Sequence, residues 1–62
     1  MAARKILVVE DERAIRDMLL FNLGRAGYDV LGAATAQEAR SAIADRHPDV
    51  ILMDWMLPED AV

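Results

Sequence analysis

Hydrophobic residues along the chain fall into three short solid runs separated by two stretches of longer period. Lys5-Ile6-Leu7-Val8-Val9 is apolar and β-branched after its lysine and stops at Glu10-Asp11. Asp49-Val50-Ile51-Leu52-Met53 has the same character and stops at Asp54. Unbroken apolar runs of this length fit strands of a parallel sheet covered on both faces. Tyr28-Asp29-Val30-Leu31-Gly32-Ala33 is weaker, carrying a charge and a glycine, and fits an edge strand.

Between the first two runs, Ile15, Met18, Leu19, Leu23 and Ala26 keep helical spacing. Leu20 and Phe21 widen that apolar arc, and Gly27 stands where a left-handed residue would end the helix. Between the second and third runs, Thr35-Ala36-Gln37-Glu38 reads as a capping box. Ala39, Ala42 and Ile43 then form a thin apolar stripe, and Pro48 stops the helix after His47. The pattern predicts β1-α1-β2-α2-β3, an α/β unit. Right-handed crossovers with helices on both faces require the parallel strand order 2-1-3. That order leaves β3 at an edge although its residues are those of a central strand.

The strand order changes what the acidic residues mean. Glu10 and Asp11 end the first strand and Asp54 ends the third, so three carboxylates are expected at the rim where open α/β sheets bind ligands. Like charges a few ångström apart destabilise one another unless a cation joins them. A hard divalent ion such as Mg²⁺ suits an all-oxygen donor set and needs neither thiolate nor imidazole. The plainer alternative makes Asp11 the N-cap of α1 and Asp54 a turn residue before Pro58.

Composition narrows the field further. The 62 residues contain no cysteine, which excludes a disulfide scaffold, a thiolate metal site and a cysteine nucleophile and suits a reducing cytoplasm. Seven basic against eleven acidic residues give a net charge of −4, which argues against direct nucleic-acid binding by this segment. No apolar run approaches the ~20 residues of a membrane span, so no membrane role is expected. Gly24, Gly27 and Gly32 form no phosphate-cradling loop, which leaves nucleotide binding without support.

Glu10-Asp11-Glu12 after Ile6-Leu7-Val8-Val9, together with Asp54-Trp55-Met56-Leu57-Pro58 after Asp49–Met53, resembles the receiver domain of two-component response regulators, OmpR/PhoB subfamily. The resemblance covers the whole chain and implies a flavodoxin-like (CheY-like) fold, with residues 1–62 as the N-terminal half of a receiver domain and no effector domain. It implies a cytoplasmic protein in which Asp54 is the phosphoacceptor for a sensor histidine kinase. Glu10, Asp11, Asp54 and the backbone carbonyl of Met56 would hold Mg²⁺, and Arg4 and Lys5, at the opposite end of the first strand, would have no catalytic role.

A complete receiver continues with a Ser/Thr, a Lys and an aromatic residue on later strands, and usually has a glycine-containing loop where this chain has Glu59-Asp60-Ala61-Val62. Metal binding is therefore expected to survive better than phosphotransfer. Burial of about 6,000 Å², about 60% of it apolar, contributes about 90 kcal/mol. Ordering the chain costs about 93 kcal/mol. The near-zero balance and the open third strand predict a homodimer or larger assembly through the β3 edge. A Mg²⁺-dependent phosphohydrolase of the haloacid-dehalogenase kind is the enzyme alternative, disfavoured because Met56 stands where that family needs a second aspartate. A purely structural pairing role through β3 is the other.

Overall fold

The computed structural model describes residues 3–53. The elements run β1 Lys5–Val9, α1 Arg13–Arg25, β2 Asp29–Ala33, α2 Ala36–Arg46 and β3 Val50–Met53. The sheet is parallel with order β2-β1-β3, as the handedness argument requires. Register sets Leu7 beside Leu31 and Ile51, and Val9 beside Ala33 and Met53.

Alternation along β2 separates the two helices onto opposite faces. Val30 and Gly32 meet Gly24, Arg16 and Leu20 of α1. Leu31 and Ala33 join Leu7, Val9, Ala39 and Ala42 in the cluster beneath α2. Leu7, Val8 and Val9 are essentially sealed from solvent. β3 is different: Val50, Ile51, Leu52 and Met53 remain 43–53% exposed.

Local chemistry explains the helix ends. Thr35 Oγ1 accepts from the Glu38 amide at 3.1 Å, which begins α2 as the capping box requires. Glu38 Oε1 accepts from the amide of Ala34, one residue earlier than the standard box places it. α2 ends at His47, which takes a left-handed conformation (φ 49°) ahead of Pro48. α1 runs out through Ala26 into Gly27 at φ 101°, the left-handed position expected of that glycine.

The inward face of α1 departs from the expected stripe. Arg16, Leu19, Leu20 and Leu23 are half-buried, whereas Ile15, Met18 and Phe21 are exposed. The apolar arc of α1 is wider than the sheet beneath it, and the sheet takes the Arg16–Leu23 side.

At the start of β1, Lys5 Nζ donates to the Arg46 carbonyl at the end of α2, satisfying one of that helix's orphan acceptors. The Lys5 amide donates to Asp49 Oδ2 and the Asp49 amide to the Lys5 carbonyl, both at 2.8 Å. These bonds lock the entry of β3 against β1 at the end of the sheet remote from Glu10.

Candidate functional site

The C-terminal ends of β1 and β3 form one corner, because Val9 and Met53 are register partners and Glu10 continues from the first. Asp54 follows Met53 in the sequence, and it and Met56 lie outside the described residues. Glu10 is buried and tied down at several points. Its amide donates to the Ala33 carbonyl at 3.0 Å, which extends the β1–β2 ladder past the end of the strand. Its Oε1 accepts from the Glu12 amide at 3.0 Å, closing the turn that leads into α1. Its carbonyl accepts from Arg16 Nη1 at 2.8 Å. Glu10 is the buried acidic side chain among the described residues, and its chain direction is fixed on both sides.

Asp11 is exposed at the rim. The alternative that made it the N-cap of α1 is corrected by the structure. The N-cap is Glu12, in extended conformation, and its own side chain makes no capping hydrogen bond. The Glu10 carboxylate bonds the amide of the N-cap residue, so the turn closes without help from Asp11.

Glu10 and Asp11 thus present oxygen donors of two kinds, one buried and oriented by the backbone, one open to solvent. That donor chemistry fits a hard cation that keeps several of its waters. Among the described residues no group of three or more His, Cys, Asp or Glu gathers in metal-binding geometry. The set expected from the sequence needs Asp54, which is outside them.

Sequence reasoning did not single out Arg16. The signal for it was Gly32, because a glycine within a strand marks close approach by a neighbour. A Cβ at Gly32 would stand 2.9 Å from Leu20 Cδ1 and 3.4 Å from Arg16 Cδ.

The parallel sheet of order β2-β1-β3 thus carries a buried glutamate and an exposed aspartate where β1 gives way to α1. The sequence matches the response regulator receiver domain family over residues 6–61, and the chain belongs to that family. It is 50% identical over 58 residues to the phosphate regulon transcriptional regulatory protein PhoB of Pseudomonas aeruginosa, a match covering 94% of this chain and 25% of that protein. The chemotaxis response regulator CheY4 of Vibrio cholerae superposes with a TM-score of 0.87 at 36% identity, over 94% of this chain and 48% of the CheY4 chain. The chain thus spans about a quarter of the PhoB relative and about half of the CheY4 chain. The resemblance read from the two strand-end motifs and the CheY-like fold inferred from it are both borne out.

Proposed function

We propose that this chain is the acidic half of a phosphoacceptor site in a two-component transcriptional regulator. Asp54 receives a phosphoryl group from a phosphohistidine on a sensor histidine kinase, and Glu10, Asp11, Asp54 and the Met56 carbonyl hold Mg²⁺. The observation that carries the reading is the β1–β3 register: Val9 pairs with Met53, so the acidic residues that follow each strand continue from paired positions.

In the transfer, an Asp54 carboxylate oxygen attacks phosphorus as the P–N bond to the kinase histidine breaks. The bonding pair leaves with the imidazole nitrogen, and an acyl phosphate results. Bound Mg²⁺ would neutralise the phosphoryl oxygens and favour an in-line approach. Glu10 contributes a carboxylate pre-set by its bond to the Glu12 amide, and Asp11 an exposed one. The Ser/Thr and Lys donors of complete receivers would supply charge-assisted hydrogen bonds to the phosphoryl oxygens. The transcriptional role named for the PhoB relative extends to this chain as part of the same proposal, with DNA contacts assigned to other residues than these. The net charge of −4 supports that division.

Native mass spectrometry with acetyl phosphate and Mg²⁺ tests the reading. Wild type gains one phosphoryl group, and Asp54→Asn gains none. Equal labelling of both, or labelling of wild type without Mg²⁺ at the same rate, contradicts it. Sustained turnover of phosphate esters would instead support the hydrolase alternative.

A second reading rests on the exposure of β3. Its four residues are apolar, nearly half exposed, and paired on one side by β1. Such an edge accepts another strand, which favours self-association through β3. Light scattering of wild type should show a dimer or larger species, and Leu52→Lys should shift it towards monomer. A wild-type monomer at micromolar concentration with a cooperative melt excludes this.

A further inference from the structure

Arg16 places a cation beside an acidic corner: its Nη1 donates to the backbone carbonyl of Glu10 at 2.8 Å. Its aliphatic stem runs across β2 at Gly32, with Cδ and Cγ 3.4 and 3.7 Å from where a Cβ would stand. Its own amide donates to the Glu12 carbonyl at 2.9 Å. Arg16 therefore joins the first turn of α1, the middle of β2 and the end of β1.

We propose that Arg16 is a positioning residue for Asp11, holding the peptide from which that carboxylate projects. This inference rests on the Mg²⁺ reading above and assigns a residue outside the acidic set to it. Fixing the Glu10 carbonyl oxygen fixes the amide of Asp11 with it. The peptide before Glu10 is held by the bond from its amide to Ala33, and the Glu12 amide is held by Glu10 Oε1. Asp11 is exposed and lies between these pinned groups, so its direction is set by backbone, and Arg16 supplies the pin on the peptide that carries it.

Mg²⁺ demands near-ideal octahedral placement of its ligands. Groups that orient ligands are worth about 10–100-fold in metal affinity. A nearby positive charge acting only through space would do the opposite and weaken cation binding. The two roles therefore predict opposite signs on removal of the charge.

Gly32 makes the arrangement possible. It pairs in register with Val8 and leaves room for the Arg16 stem to cross the sheet towards Glu10. A side chain there would lift both Arg16 and Leu20.

The test is Mg²⁺ titration by calorimetry on the full 62-residue chain as wild type, Arg16→Met and Arg16→Lys, with hydrogen exchange at the Glu12 amide measured without metal. Methionine retains an aliphatic stem and removes the donor, and lysine retains the charge. The expected result is about tenfold weaker Mg²⁺ binding in Arg16→Met despite loss of a like charge, with partial recovery in Arg16→Lys. Exchange at Glu12 should also quicken in Arg16→Met. Unchanged or tighter Mg²⁺ binding in Arg16→Met overturns the proposal. If Arg16→Met fails to fold, Arg16→Lys decides, since affinity equal to wild type with unchanged Glu12 exchange would mean that charge alone matters. Failure of the underlying reading looks different: wild type itself then binds no Mg²⁺, and Asp11→Asn changes nothing.

Discussion

Two sides of one small sheet behave differently although their residues are nearly interchangeable. β1 reads Lys-Ile-Leu-Val-Val and is sealed; β3 reads Val-Ile-Leu-Met and is almost half exposed along its whole length. Apolar composition does not distinguish them. What does is cover: β1 lies between β2 and β3, with α1 above one face and α2 above the other, and the helices are centred on the β2–β1 half of the sheet. Burial is a property of what the crossovers bring over a strand, and the strand's own hydrophobicity only makes that cover worthwhile.

The sharpest way to break the comparison is to make the same truncation on both sides. Leu7→Ala should cost about 4 kcal/mol, enough to unfold so small a chain, because Leu7 sits at the centre of the cluster under α2. Leu52→Ala should cost about 1 kcal/mol or less, since it removes atoms already half in water. Urea unfolding followed by circular dichroism separates the two, and equal losses would show that β3 is covered in solution. Next comes Gly32→Val, which should cost about 1–3 kcal/mol by forcing Leu20 and the Arg16 stem off the sheet. A neutral outcome in the same assay would mean that α1 lifts freely. Thr35→Ala should cost about 1 kcal/mol and lower the melting temperature by about 4–8 °C, because it removes the cap of α2. Smallest of all is Arg13→Ala. Its Nε lies 3.6 Å from Asp17 Oδ2 on the open face of α1, and loss of this exposed pair should change stability by less than about 0.5 kcal/mol.

The strand order was legible because handedness and apolar runs leave one arrangement that covers both faces of the sheet. Gly27 was legible for a similar reason, as a helix end followed by a residue needing positive φ. The inward face of α1 was not. Ile15 and Met18 match the helical period as well as Leu19 and Leu23 do, and only the position of the sheet chooses among them. Arg16 was hidden because a long side chain with a charged tip reads as solvated, although its stem lies along apolar surface. The N-cap of α1 was missed because the turn is closed by Glu10, from a residue that sequence pattern assigns to the strand end. Of the expected site, Glu10 and Asp11 follow the end of β1, and the metal-binding and phosphoacceptor roles of Glu10, Asp11, Asp54 and Met56 belong to the proposed function.

The central claim is that the acidic residues following β1 and β3 act as one cation-binding unit, and Mg²⁺ titration monitored by the fluorescence of Trp55 tests it most directly, since that residue adjoins Asp54 in the chain. The account predicts a saturable change in wild type that is lost in both Asp11→Asn and Asp54→Asn and is not reproduced by Na⁺ at equal ionic strength. A response that is non-saturable, or that survives either substitution undiminished, would contradict it.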